Sequence, residues 1–283
     1  MAFVAPFKIG DTVTNSQIVE AFKVGNMGGM RRSKKNNALV LICDHTKGLY
    51  DDKWYGDVLH YTGMGKTGDQ VLKGNQNGTL YNSNTNGVAV YLFEVLEKTK
   101  YIYQGEVELA DMPYQATQYD IMGNERQVWV FPLRAKTAFA VIQREVVESN
   151  VKSKTEVIVK MAFAELKQKA IDHQLEKVPY RKTVTQTYIR DPYIARYARL
   201  RANGKCQLCG QSAPFLDLHG DPYLESHHIV WLSRGGADTI DNTIGLCPNC
   251  HRKMHVLDQD SDKKKLITIN QSPKKVKVKR VTN

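Results

Sequence analysis

Two Cys-x-x-Cys pairs, Cys206 with Cys209 and Cys247 with Cys250, bracket a stretch that carries His227 and His228 and leads into His251 and His255. The pattern describes two metal sites. Four thiolates in two knuckles suit a tetrahedral structural Zn²⁺, which takes soft ligands in a closed shell. The imidazoles are left for a second ion. With residues 251–255 helical, His251 and His255 stand at i and i+4 on one face, and both rings reach a single cation. His227 supplies a third ligand from a neighbouring strand. His228 faces elsewhere, because successive strand residues point to opposite sides, so one of that pair is free to act as a base. The cysteines alone are equally a module that only folds or binds, but such a module has no use for the histidines as well. Glu225 either steadies one of the rings or is a solvated strand carboxylate.

Several elements must position these groups. A helix is expected from Asp191-Pro192, with Asp191 as cap, to Asn203-Gly204, delivering the chain to the first knuckle. Its Arg190, Arg196, Arg199 and Arg201 either clamp phosphates or form a solvated basic face. Before it, Thr155 caps an apolar-periodic helix through Val157, Met161, Leu166 and Leu175 that ends before Pro179 and reads as a rigid connector. From Phe7 to about Leu133 the chain reads as short strands between glycine-rich turns: ALVLICD, DVLHYTG, GVAVYLFEVL, TKYIYQGEVEL and RQVWVFPL. One helix is expected near Asn15–Phe22, capped by Asn15 or Ser16.

The 283 residues, 42% of them hydrophobic, are enough for two cored domains. No apolar run is long enough to span a bilayer and the N-terminus has no export pattern, so a soluble, cytoplasmic protein is expected. Four of the five cysteines have metal spacing; Cys43, in ALVLIC, reads as a buried core thiol. The net charge of +11 is uneven: residues 1–150 hold 16 Lys+Arg and 16 Asp+Glu, residues 151–283 hold 24 and 13. A basic second half attracts polyanions through phosphate neutralisation without sequence preference. The terminal run Lys274-Lys275-Val-Lys277-Val-Lys279-Arg280, with Lys263 to Lys265 before it, is either a DNA arm or a disordered basic end.

The segments CQLCG and LESHHIVWLSRGGADTIDNTIGLCPNCHRKMH, from Lys205 to His255, resemble the HNH (ββα-metal) nucleases in their Cys₄-stabilised form. The resemblance implies that His227, His251 and His255 hold a catalytic divalent ion such as Mg²⁺ or Mn²⁺. It also implies that His228 is the general base, that Asn242 orients it, and that Cys206, Cys209, Cys247 and Cys250 bind structural Zn²⁺. The reaction implied is metal-assisted hydrolysis of a DNA phosphodiester.

The stretch from GNMGGMRRSKKNNALVLICDHTKGLYDDKWYGDVLHYTG to YIYQGEVEL is similar to SET- and RING-associated (SRA) domains, over roughly Phe7 to Leu133. Such domains flip a modified cytosine out of the duplex between two aromatic rings. By that resemblance Tyr50 and Tyr61 are the stacking pair, Asp52 (or, one residue out of register, Asp51) reads the base edge, and Gly48 and Thr62 make backbone contacts. On their residue types alone, Tyr50 and Tyr61 are equally ordinary strand aromatics. The loop Asn82–Asn86 either enters a groove or is a polar turn.

Together these readings predict an α+β protein. An SRA-like twisted β-barrel reader occupies residues 1–150, a helical linker 151–185, an HNH domain 186–260 and a basic tail 261–283. The expected function is a type IV-like, modification-dependent endonuclease acting on double-stranded DNA that bears 5-methylcytosine or 5-hydroxymethylcytosine. A homodimer is expected, because one HNH site nicks one strand. The alternatives are an HNH nuclease reading another mark, such as phosphorothioate or N4-methylcytosine, or an unmodified sequence, and a non-catalytic reader whose zinc module docks on DNA.

Overall fold

A computed structural model describes residues 3–47, 50–159, 161–172, 174 and 177–271. Gly48 and the run from Lys274 to Arg280 lie outside the described residues. The chain forms two compact units, Met1–Thr185 and Gln186–Asn283. Divided there, Lys+Arg and Asp+Glu number 24 and 20 in the first unit and 16 and 9 in the second. The excess is therefore shared, because residues 151–185 are grouped with unit 1. No helix among the described residues is long and apolar enough to cross a membrane.

Unit 1 begins with β1 (Thr12–Val13), α1 (Asn15–Phe22), β2 (Met30–Ser33), β3 (Ala38–Asp44), β4 (Lys53–Tyr55) and β5 (Val58–Thr62). It continues with α2 (Gln76–Tyr81), β6 (Ala89–Glu97), β7 (Lys100–Leu109), β8 (Tyr114–Tyr119) and β9 (Glu125–Ala135). β10 (Ile142–Gln143), α3 (Arg144–Ile158), α4 (Phe163–Asp172) and β11 (Thr183–Val184) complete it. The main sheet runs β2-β3-β6-β7-β9-β5-β4, with β1 on β7 and β8 on β9. The path is open, and no ladder among the described residues joins β2 to β4 to close the expected barrel. The β4 end is met instead by a bridge from Tyr55 to Tyr180.

The pleat sorts the hydrophobic residues into two cores. From β3, Leu39, Leu41 and Cys43 enter one cluster with Val90 and Leu92 of β6, while Ala38, Val40 and Ile42 enter the other with Tyr91 and Phe93. Strands buried on both faces read as continuous apolar runs, as ALVLICD does.

Two expected helix starts differ. α1 is capped by Thr14 in a reciprocal capping box with Gln17, not by Asn15 or Ser16. Thr155 caps nothing: it sits inside α3 and its hydroxyl donates to Val151 O at 2.9 Å, the i−4 bond open to a mid-helix threonine. The single expected connector helix is two, α3 and α4.

A buried polar hub ties the end of unit 1 to its sheet. Glu94 of β6 is fully buried and accepts from Arg181 Nη1 and Nη2 at 2.6 and 3.1 Å, Trp54 Nε1 at 3.0 Å and Gln104 Nε2 at 2.9 Å. His45 Nε2 lies 2.9 Å from the same carboxylate, and the Arg181 guanidinium stacks on Trp54.

Unit 2 holds α5 (Pro192–Arg201), β12 (Glu225–His228), β13 (Thr243–Leu246), α6 (Pro248–Leu257) and α7 (Asp260–Gln271). Asp191 caps α5 through the amides of Tyr193 and Ile194, as expected. α5 crosses β13 at Gly245, where a Cβ would lie 2.8 Å from Ala202 Cβ and 3.0 Å from Ala198 O, so only glycine permits the approach. The start of the expected basic tail is ordered: Asp260 and Asp262 open α7, Leu266 is fully buried, and Lys263 pairs with Asp258.

Burial works against the Glu94 charge, and His45 and Arg181 more than offset it, holding the carboxyl down at about 2. A depressed carboxyl stabilises the fold fully above its ordinary value of 4.5 and loses that contribution as pH falls toward 2. Arg181→Met, which leaves the carboxylate buried without its cation, should cost about 3–5 kcal/mol at neutral pH. Urea denaturation at pH 7 measures the loss; an unchanged midpoint would remove Glu94 and Arg181 from the centre of unit 1.

Candidate functional site

The four cysteine sulfurs of unit 2 lie within 4.8 Å of one another. Their environments pull the thiols apart. Burial opposes ionisation of Cys206, but amides of Cys209, Cys247 and Leu208 outweigh it and bring the thiol to about 7. Burial and the neighbouring sulfurs push Cys250 well up. Four crowded thiols share one cation better than they ionise alone, and this donor set fits Zn²⁺.

A second cluster joins His227, His251 and His255, one ring nitrogen from each again within 4.8 Å. His227, at β12, is 1% exposed and its Nε2 is buried with no hydrogen-bond partner. Burial, then the neighbouring imidazoles, lowers its pKa to about 3, so the ring is neutral and its lone pair is available. α6 presents His251 and His255 one turn apart, their Nε2 atoms 3.0 Å from each other. Glu225 accepts from His251 Nδ1, which fixes that tautomer and leaves Nε2 directed into the cluster. An orphaned buried nitrogen facing two others fits a divalent cation.

His228 stands outside the cluster. Its Nε2 faces Asp238 Oδ1 at 2.8 Å, a residue that no spacing rule had singled out. Asp238 also accepts from the Asp191 amide at 2.7 Å, tying the start of α5 to the loop after β12. The expected contact of Asn242 with the base is replaced by a loop clamp. Its Nδ2 donates to Val230 O and Ala237 O, and its Oδ1 accepts from the Val230 amide. A side chain that satisfies both ends of one loop has no donor left for the ring.

The cluster opens into two clefts of about 110 and 740 Å³ that share Arg190, His251 and His255. Arg199 and Arg252 line the larger, and Tyr188 and Trp231 the smaller. The four arginines near α5 thereby separate. Arg190 and Arg199 face the clefts, Arg196 pairs with Asp221 at 2.6 Å, and Arg201 donates to Thr243 O at 2.7 Å.

In unit 1 the described members of the expected pocket, Tyr50, Asp52, Tyr61 and Thr62, lie together. Asp51 is exposed and pairs with Lys53, whereas the Asp52 carboxyl turns inward and accepts from the Thr62 amide at 2.7 Å. That settles which aspartate faces the cluster. Tyr61 is buried in the core, its hydroxyl donating to Gly29 O at 2.9 Å, and Tyr50 is half-buried beside it. Burial raises the Tyr61 hydroxyl, with Asp52, Cys43 and Tyr50 adding to the effect. Burial likewise raises Asp52 to about 6, against the pull of the Thr62 amide. The Asn82–Asn86 loop is braced internally and by Asn84 on Leu109, as a polar turn is.

Two substitutions separate the centres. Cys247→Ala should lose bound zinc and unfold unit 2, since a structural site couples metal to folding; a zinc-replete, folded variant would contradict the Cys₄ site. For Asp52 the sign is opposite to Glu94. A raised carboxyl gives its full stability below the unfolded value of 3.8 and loses it as pH rises through about 6. Asp52→Asn should therefore stabilise the protein by up to about 3 kcal/mol above pH 6, with the gain vanishing near pH 4. Denaturant melts at pH 8 and pH 4 read the difference, and a variant weakened at both would show that the buried acid is not strained.

Residues 206–256 match the HNH endonuclease model, and residues 9–151 match the ScoMcrA-like SRA domain model. A 70-residue stretch is 50% identical to the type IV methyl-directed restriction enzyme EcoKMcrA of Escherichia coli (strain K12), covering 25% of each chain. The solved type IV phosphorothioation-dependent restriction endonuclease ScoMcrA aligns with 94% of this chain and 63% of its own, at 20% identity and a TM-score of 0.39. An SRA domain of SUVH5 bound to fully methylated CG DNA aligns with 49% of this chain and 96% of its own, at 22% identity and a TM-score of 0.39. The chain thus spans a quarter of its curated relative and under two thirds of the ScoMcrA structure. With half of its length matched by one model, the chain belongs to the ScoMcrA-like SRA domain family, and it carries an HNH endonuclease domain at its other end.

Proposed function

We propose that the protein is a modification-dependent DNA endonuclease in which unit 1 holds a flipped 5-methylcytosine or 5-hydroxymethylcytosine and unit 2 hydrolyses a phosphodiester. The observation that carries the reading is the orphaned nitrogen of His227 turned toward His251 and His255, with His228, which is paired to Asp238, lining the same arginine-flanked cleft. His227, His251 and His255 would hold a divalent ion such as Mg²⁺ or Mn²⁺, which would supply charge neutralisation at the scissile phosphate.

The protein's own groups do the rest. Asp238 accepts from His228 Nε2–H, so the Nδ1 lone pair is the one left to take a proton from the attacking water. Asn242 keeps the loop between His228 and Asp238 closed, a positioning role. Arg190, Arg199 and Arg252 line the clefts where backbone phosphates pass. In unit 1, Asp52 accepts from the amino group of the flipped base and half-buried Tyr50 supplies aromatic surface for stacking lost from the duplex, whereas Tyr61, expected to be the second stacking ring, is closed in the core with its hydroxyl on Gly29 O. Cutting both strands takes two copies of the single HNH centre.

The test is cleavage of one duplex prepared with cytosine, 5-methylcytosine, 5-hydroxymethylcytosine or a phosphorothioate linkage, with Mg²⁺ or Mn²⁺. Preferential cutting of the cytosine marks supports the reading. Cutting confined to the phosphorothioate duplex reassigns the mark, and binding without cutting makes the protein a reader alone. His228→Ala should lower the cleavage rate by about 10²-fold or more while modified-DNA binding and bound zinc persist; near-normal turnover would remove His228 from catalysis. Tyr50→Ala should cost about 1–3 kcal/mol of preference for the modified duplex, and a folded variant with full discrimination would make Tyr50 a packing residue.

A further inference from the structure

The donors needed for the far edge of a flipped cytosine lie elsewhere than the sequence suggests. That edge presents one donor, the N4 amino group, beside two acceptors, N3 and O2. Asp52 suits the amino group. The Thr62 amide, expected to meet the base, is already committed to Asp52 Oδ1 at 2.7 Å. Two acceptors would then enter a buried site without partners, at a cost that disfavours binding.

Arg126 is the unused donor on that face. It is 3% exposed, yet its Nε and Nη2 have no hydrogen-bond partner; only Nη1 is engaged, on Gly65 O. The idle Nε–H and Nη2–H form one side of the guanidinium, a two-donor fork suited to a pair of adjacent acceptors. The β8–β9 register sets Arg126 directly opposite Gln118, so the two side chains share one face of the sheet. Gln118 Nε2 reaches Thr62 Oγ1 at 3.0 Å, and the Thr62 amide holds Asp52. Gly65 closes the group from the other side, because its amide meets the Tyr50 hydroxyl. A buried cation with two idle donors is expensive to keep unless a ligand completes it.

We propose that Arg126 is a base-reading residue whose Nε–H/Nη2–H fork takes N3 and O2 of the flipped cytosine while Asp52 accepts from N4. This rests on the base-flipping reading of unit 1. Together the two side chains select cytosine over thymine, whose edge carries a carbonyl opposite Asp52 and an N–H opposite the fork. A substituent at C5 lies on the far side of the ring, so the fork fixes which base is held while other contacts sense the mark.

The test uses the full chain with Arg126→Met, which keeps the side-chain length, and Arg126→Lys, which keeps the charge but not the fork. Binding is titrated on matched duplexes with cytosine, 5-methylcytosine, 5-hydroxymethylcytosine, thymine or 3-deaza-5-methylcytosine at one position, with 2-aminopurine beside it to report flipping. Both variants should lower the 5-methylcytosine-to-thymine affinity ratio roughly tenfold or more. Removing N3 should weaken binding to the wild type but add nothing to the loss in Arg126→Met, the non-additivity expected of two partners in one contact. Arg126→Met should melt no lower than wild type. A folded Met variant with the wild-type ratio, losses that simply multiply, or a Met variant that melts far below wild type would each overturn the assignment, the last by making Arg126 a structural cation. A wild type that neither prefers a modified base nor gives a flipping signal would remove the pocket reading and Arg126 with it, whereas flipping that survives both substitutions defeats Arg126 alone.

Discussion

Unit 2 depends on closing a loop with groups that repel closure. Cys206 and Cys209 come from the turn after α5, Cys247 and Cys250 from the cap and first turn of α6, and hydrophobic contact alone would not bring four thiols so close. A shared cation, which this donor set fits, would turn the crowding into cohesion at the N-terminus of α6. The next residue, His251, and His255 one turn later then inherit a fixed position against β12, where His227 waits with an unpartnered nitrogen. The geometry of the histidine cluster is thus downstream of the cysteine site, and the two donor sets interleave in sequence.

Unit 1 shows the complementary arrangement, with two buried carboxyls sorted by their neighbours. Glu94 is surrounded by Arg181, His45, Trp54 and Gln104, and is held at about 2. Asp52 has one backbone donor, faces the thiol of Cys43, and rises to about 6. The first has every lone pair answered and serves the fold. The second has capacity to spare in a site that gives no full compensation. Environments that push two like groups apart mark the one retained for a task other than stability.

How much of this was legible follows from which physical rules are local. The two donor clusters were readable because i, i+4 spacing on a helix and paired knuckles fix geometry within a few residues, and the Asp191 cap was readable for the same reason. Glu225 could be weighed but not decided, since a strand carboxylate reaches a ring only if α6 lies against β12. Asp238 and Asn242 were harder. Both sit in one loop, and which of them meets His228 depends on how Gly236 lets that loop fold tightly against Val230. β8 was missed because its YQATQY has no strong apolar alternation, being held to β9 by backbone pairing and not by a core face. Arg126 carries no local signal at all: its burial and its idle fork arise from strand register.

The charge division bears on how such a protein avoids cutting indiscriminately. Unit 2 has 16 basic against 9 acidic residues, and its clefts carry Arg190, Arg199 and Arg252, which attract any phosphate backbone. That attraction weakens with salt and carries no information about bases. Unit 1, with 24 basic against 20 acidic residues, adds little of it, so its contribution to selection must come from short-range contacts inside a desolvated pocket. Flipping a base costs a few kcal/mol before any contact is made. Only groups kept dry and without full compensation beforehand, such as the Asp52 carboxyl, return enough on binding to exceed that cost. On the base-flipping reading proposed above, the strain left at Asp52 supplies discrimination that phosphate attraction by a basic unit does not provide.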